Sequence, residues 1–368
     1  MLFRSFTEGI SVYEEAHSKT GWGDPFSLSM IQALQKYGLV PMADLNGVFV
    51  RPKYPNQVVF AYFQGGLICE YVIDKFGFEK INQMLRAYGE AKTDAQVFQE
   101  QLGMSLEDFD KAFKEYARVK TYDFGKAVDF SAMSRMNVHT MAEPKESDKG
   151  KKGEEEGETE INIQSFVGGV IGDAPGEPKD FIGKLRQASK LRGEKKYDEA
   201  IKAAEEAKAM LPPYTEDGNP YELLASIYEE RGDKAKATAE LMTWRENRGR
   251  HPEAFIKLAD LLHDAGRKKE AVQVLEDLLQ VAMYDIRIHQ KLGDWSIELN
   301  DYAAAARAFQ GVLALNPPDK AEAHYKLATA YMNLQQKDKA RAQVLAALEI
   351  APGYRPAQKL LLDLAGAE

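Results

Sequence analysis

The strongest constraint on this 368-residue chain is a spacing between alanines. Ala200, Ala237, Ala271, Ala305 and Ala340 follow one another at intervals of 37, 34, 34 and 35 residues. Each lies a few residues into an amphipathic pattern, and each is preceded by a second amphipathic pattern of similar length. A fixed period in this range predicts stacked helical pairs, with each pair burying its apolar face on the next. The first such segment is Tyr197 to Pro212, YDEAIKAAEEAKAMLP. This fixes the architecture of the C-terminal half and says little about chemistry.

Small residues recur where the two helices of a pair must cross: Ala188 and Ala200, Ala225 and Ala237, Ala259 and Ala271, Gly293 and Ala305, Ala328 and Ala340. Any larger side chain there would force the backbones apart. Large side chains fill the gaps between pairs: Leu191 and Tyr197, Tyr221 and Tyr228, Phe255 and Leu262, Tyr302 and Phe309, Tyr331 and Val344. Pro212, Pro317 and Pro352 end repeats, and Gly232 and Gly266 sit in the turns. These residues identify the region as similar to the tetratricopeptide repeat family. The resemblance implies five helical pairs over residues 179–368, closed by RPAQKLLLDLAG as a capping helix. It also implies a concave face lined by the first helix of each pair. On that pattern the groove residues are Glu222, Ser226, Glu229 and Glu230, then Ile256, Asp260, His263 and Asp264, then Gln290, Asp294 and Glu298, and finally Tyr325, Thr329 and Met332. This set is acidic, so the expected partner is a protein or peptide segment that is basic or neutral. A solvated helix face without a ligand is the alternative. His263 and Asp260 lie one helical turn apart, a spacing that an isolated surface histidine also satisfies.

Residues 1–122 read as helical throughout, so the whole chain is expected to be all-α. Thr7 is expected to cap TEGISVYEEAHS, and Asp24 with Pro25 to open PFSLSMIQALQKYG. A short helix around MADLNGVF follows. NQVVFAYFQGGLICEYVIDKFG is apolar nearly all round and is expected to be the buried central helix. GFEKINQMLRAYG and TDAQVFQEQLG are amphipathic, and Ser105 with Asp108 opens LEDFDKAFKEYARVK in a capping pattern.

The pieces FTEGISVYEE, AYFQGG, KFGFEKINQML and LGMSLEDFDKAFKEYA, in that order, resemble the C-terminal half of the peptidase-MA-like domain of gluzincin zinc metallopeptidases. That family places two zinc histidines and a general base in HExxH. It takes its third ligand from a Glu-Gly on a later helix and carries a Tyr in an Ala-Tyr-x-Gln context. By resemblance Glu8 is the third zinc ligand and Tyr62, followed by Gln64 and Gly65, the hydroxyl that steadies the oxyanion. From pattern alone, Glu8 reads as a first-turn helix glutamate and Tyr62 as a packed core tyrosine, and only the resemblance gives them the other roles. Ser5 stands where the family has Trp, and HExxH is absent. The six histidines, His17, His139, His251, His263, His289 and His324, are scattered, and one carboxylate cannot hold a catalytic zinc. No cofactor and no zinc-peptidase activity are therefore expected of this sequence. Two readings stay open: a remnant that lost its metal, or part of a longer zinc metallopeptidase whose HExxH would precede Met1. Cytoplasmic placement goes with the first, and an exported or envelope protein with the second.

Charge excludes other classes. The 57 acidic side chains outnumber the 48 Lys and Arg, for a net charge of −9, which argues against nucleic acid as a general ligand. No apolar run reaches the roughly 18 residues of a membrane span. The one cysteine, Cys69, lies in GGLICEYVI and reads as a buried thiol. Trp244 and Trp295 read as packing residues. Residues 123–178 read as a linker, because positions 145–160 hold eleven charged residues and no apolar one.

Overall fold

A computed structural model describes residues 3–18, 27–118, 120, 128 and 179–366. The described residues form eighteen helices and no strand. The chain divides into two compact units, Met1–Arg250 and His251–Glu368. The boundary falls within the repeats. The expected linker at 123–178 lies, Val128 apart, outside the described residues.

Seven helices open the first unit: α1 (Phe3–Ser18), α2 (Leu28–Tyr37), α3 (Met42–Val48), α4 (Gln57–Phe76), α5 (Phe78–Gly89), α6 (Asp94–Leu102) and α7 (Leu106–Ala117). As its composition requires, α4 is the core helix, and α1, α2, α3, α5 and α7 all touch it. Its crossing with α1 is set by glycines. A Cβ on Gly9 would stand 2.4 Å from the Gly65 carbonyl oxygen, and one on Gly66 would stand 2.8 Å from Val12 Cγ1. Around this crossing pack Phe6, Ile68, Val72, Ile81, Phe98, Phe109 and Phe113, all buried. Cys69 is fully buried there, and burial pushes its thiol up to about 12, so it is inert.

Caps explain where the helices begin, and two differ from expectation. Thr7 lies inside α1, which already starts at Phe3, so it caps nothing. Ser27 caps α2 by accepting from the Met30 amide; Asp24 and Pro25 lie outside the described residues. Thr93 and Gln96 form a reciprocal capping box on α6, and Ser105 caps α7. Pro41 precedes α3 without a side-chain cap, and Asp110 supplies the acceptor from α7 instead, 3.1 Å from the Met42 amide.

The repeats begin in the same unit with α8 (Phe181–Gly193), α9 (Tyr197–Met210), α10 (Pro220–Glu230) and α11 (Lys234–Glu246). Leu28 and Ile31 of α2 share a buried cluster with Phe181, Ile182 and Leu185 of α8 and with Ala207, Leu211 and Tyr214. The N-terminal helices thus cover an apolar surface that an opening repeat would otherwise expose to water. Trp244 is buried and donates to the Thr215 carbonyl at 3.1 Å, a packing role as expected.

The second unit holds α12 (Pro252–Asp264), α13 (Lys268–Leu279), α14 (Ile286–Glu298), α15 (Tyr302–Ala314), α16 (Lys320–Asn333), α17 (Lys337–Ile350) and α18 (Arg355–Gly366). The small residues at every expected crossing are buried, and a Cβ on Gly293 would meet the Phe309 ring at 2.4 Å. Of the gap-filling residues, Leu191, Tyr197 and Tyr302 are only half-buried. The cap helix α18 buries Ala357, Leu360 and Leu364 against the last pair.

All five hairpin turns have one geometry. Five residues before each periodic alanine, Lys195, Gly232, Gly266, Asn300 and Gln335 adopt positive φ, between 59° and 79°. The next amide then reaches back to a carbonyl five residues earlier, as from Asp233 to Tyr228 at 2.8 Å and from Gln336 to Tyr331 at 2.9 Å. Only two of the five positions carry glycine. The turn is imposed by the packing of the pair, and residue choice merely sets its cost.

Two predictions rest on these glycines. Gly9→Ala should destabilise the first unit by about 1–3 kcal/mol in denaturant unfolding, because the added methyl meets backbone. Gly47→Ala, with open space around it, should be neutral or slightly stabilising. In the turns, Gly266→Ala should lower stability by about 1 kcal/mol and Gln335→Gly should not, measured the same way.

Candidate functional site

The N-terminal candidates do not assemble a metal centre. Glu8 is half-buried on α1, in a helix interior rather than at a first turn. Its neighbour Gly9 has a packing reason to be glycine, which accounts for half of the Glu-Gly pair. Tyr62 is half-buried on α4, edge-on to Phe49 with ring centroids 5.1 Å apart. Gln64 is buried, and its amide clasps the Val40 backbone, accepting from N at 2.9 Å and donating to O at 2.6 Å. It therefore anchors the α2–α3 connection. Among the described residues no three His, Cys, Asp or Glu side chains come together, at Glu8 or elsewhere.

In the first unit the expected groove residues on α10 are partly engaged in structure. Glu222 receives Asn219 Nδ2 at 2.7 Å while Asn219 caps α10. Glu230 pairs with Arg192 of α8 at 2.6 Å. Ser226 and Glu229 are half-buried. Glu230 also edges an open depression of about 480 Å³ with Ser189, Arg192, Gly193, Lys195 and Tyr197.

The second unit has a more regular face on α12, α14 and α16. Lys291 Nζ meets Asp260 Oδ1 at 2.6 Å, and Lys326 Nζ meets Asp294 Oδ1 at 2.8 Å. Each aspartate is thus paired with a lysine from the first helix of the next pair. Burial alone would lower the Lys326 ammonium, but the hydrogen bond and charge of Asp294, with Glu322, hold it raised. Arg287 joins the edge of this face to Glu253 at 2.7 Å. Ile256 is buried and lines no surface, whereas Asp264 and Gln290 are exposed and Tyr325, Thr329 and Met332 half-buried. Tyr325 meets Tyr354 edge-on at 5.5 Å, giving the α18 end an aromatic wall.

His263 is no isolated surface residue. Its ring stacks on Trp295 at 4.5 Å and 11°, and its Nε2 lies 2.9 Å from Glu298 Oε2. Glu298 also receives Lys268 Nζ at 2.6 Å. The one-turn neighbour Asp260 bonds Lys291 instead. The expected acidic face is therefore laced with cations that the groove pattern omitted. Lys257, Lys291 and Lys326 recur at intervals of 34 and 35 residues, the same steps as Ala271, Ala305 and Ala340. That shared period was the available signal.

The Lys268 and His263 contacts hold the Glu298 carboxyl below its usual range. A depressed carboxyl contributes stability above its unfolded value, about 4.3, and loses it as pH falls through the lower folded value. Because the pair is well exposed, the contribution should stay under about 1 kcal/mol. Glu298→Gln should therefore cost a few tenths of a kcal/mol at pH 7 in urea titrations, and the difference from the parent chain should close towards pH 3.

Residues 292–355, from within α14 to the first residue of α18, match the tetratricopeptide repeat family. No curated protein matches the chain. Among solved structures, YrrB, described as a TPR protein with an unusual peptide-binding site, is 17% identical. It covers 49% of this chain and 91% of its own, with a TM-score of 0.40. A MamA protein is 20% identical over 46% of this chain and 90% of its own, with a TM-score of 0.38. The thermophilic TPR protein TTC0263 of Thermus thermophilus is 24% identical over 51% and 98%, with a TM-score of 0.28. At these identities and scores the likenesses add nothing to what the helical pairs themselves display. The family match is confined to residues 292–355, and the helical pairs before it share the same buried small residues and the same turn geometry.

Proposed function

We propose that this protein is a protein-binding scaffold, and that the face of α12, α14 and α16 takes an extended peptide segment. The observation that carries the reading is a division of labour along each first helix. One set of positions is spent on packing, while Asp260, Gln290, Lys291, Asp294, Tyr325 and Lys326 stay accessible in the same register. Neighbouring helix axes lie about 8–10 Å apart, and an extended chain advances about 3.3 Å per residue. A segment on the order of six residues would therefore cross all three helices, meeting charged pairs first and the Tyr325–Tyr354 wall last.

The paired charges favour a neutral or mixed-charge segment over a strongly acidic or strongly basic one, because either extreme must break Asp–Lys pairs already made. In this reading the task of α1 to α7, which resemble half of a peptidase-MA-like domain, is to support the opening repeat.

Peptides selected from a random library on the full chain, and measured by fluorescence anisotropy, test the reading. Tyr325→Ala and Asp294→Lys should each weaken the selected peptides by about 1–2 kcal/mol, near tenfold, without lowering the unfolding midpoint by more than a few degrees. Equal loss from Glu349→Lys, on the exposed side of α17, would overturn it.

A further inference from the structure

A second surface lies in the first unit, remote in sequence from the repeats. Between residues 25 and 69 this acidic chain has a single carboxylate side chain, Asp44, against the cations Lys36, Arg51 and Lys53. The same stretch leaves apolar side chains in water: Tyr37 is 46% exposed, Val50 69% and Val59 45%. They belong to the end of α2, the α3–α4 connection and the first turn of α4.

The structure joins part of this set directly. Tyr37 stacks on Tyr54 with ring centroids 3.7 Å apart and planes 10° apart, so the end of α2 and the α3–α4 connection are joined ring on ring. Lys36 Nζ lies 4.9 Å from the Tyr37 centroid. The connection is pinned at both ends: the Arg51 amide bonds the Gly47 carbonyl at 2.9 Å, and Gln57 Oε1 accepts from the Lys53 amide. Val50, Arg51 and Lys53 are therefore displayed by a braced loop, and the ordering cost of presenting them to a partner is already met. The Tyr54 hydroxyl is screened from solvent and has no hydrogen-bond partner among the described residues, an unusual state for a buried polar group.

We infer that Lys36, Tyr37, Arg51, Lys53, Val50 and Val59 form a docking surface for a short acidic protein segment that carries an apolar anchor residue. The three cations supply the charge complement, and the exposed valines and Tyr37 need an apolar counterpart to leave water. Polyanions fit less well. A nucleic-acid backbone or an anionic bilayer gains from many clustered cations, whereas this patch has three in a chain of net charge −9. Phosphates would also leave Val50 and Val59 uncovered.

The test uses the full chain and a labelled peptide of six glutamates around a central phenylalanine, followed by fluorescence anisotropy at low salt. Saturable binding is expected, weakened about tenfold by Arg51→Glu with Lys53→Glu, and several-fold by Val50→Ser with Val59→Ser. Lys36→Glu serves as an independent charge reversal. All these side chains are exposed, so the unfolding midpoint should hold. Leu362→Ser, exposed in the other unit and outside both surfaces, should leave this binding unchanged. The proposal is overturned if the glutamate peptide fails to bind, if a lysine-for-glutamate peptide binds as tightly, or if the charge reversals have no effect. It is equally overturned if a single-stranded oligonucleotide or phosphatidylserine vesicles bind more tightly and are lost with the same variants.

Discussion

Close helix crossing is the constraint from which the rest follows. Wherever two helices of a pair meet, the contact residue is alanine or glycine and is buried, and at Gly293 even one methyl would collide with Phe309. Close approach fixes the angle of each pair, and the angle fixes the turn. Hence Lys195, Asn300 and Gln335 accept the same left-handed backbone as Gly232 and Gly266. Five turns of one geometry, built from four residue types, show packing overriding local preference. The α1–α4 crossing repeats the device with Gly9 and Gly65, outside the repeats altogether.

Because the crossings and the large inter-pair residues satisfy the core, the outward side of each first helix is released from packing. In the second unit that freedom is partly spent on ion pairs between successive first helices, Asp260 with Lys291 and Asp294 with Lys326. Such exposed pairs add little stability, at most about 1 kcal/mol each. Their stronger effect is on selectivity, since a ligand must match or break a charge pattern already balanced. His263, Trp295, Glu298 and Lys268 make a tighter clasp beside it, so a histidine that reads as solvent-facing is held by both a ring and a carboxylate.

The first unit shows how a repeat array can begin without a dedicated polar cap. Its opening helix presents Phe181, Ile182 and Leu185, and α2 meets them with Leu28 and Ile31. At about 25 cal/mol per Å² of apolar surface removed from water, such a cluster is worth several kcal/mol. Leu28 and Ile31 of α2 thus shield the apolar side of the opening repeat from water. No helix among the described residues is long and apolar enough to cross a membrane.

The sequence by itself determined the all-helical class, the positions of the five pairs, their buried alanines and the central place of α4. All of these are set by periodicity and side-chain size, which act locally and repeat. It also carries the period of Lys257, Lys291 and Lys326, though the pairing of Lys291 and Lys326 with aspartates depends on how successive first helices pack. Only the tertiary structure decided which carboxylates are compensated, that Gln64 holds Val40, that Asp110 caps α3 from 68 residues away, and that Tyr37 lies on Tyr54. Those contacts join residues far apart in the chain, or across a loop, with no fixed spacing. No periodic signal can encode them, and they arise only once the crossings have brought the elements together.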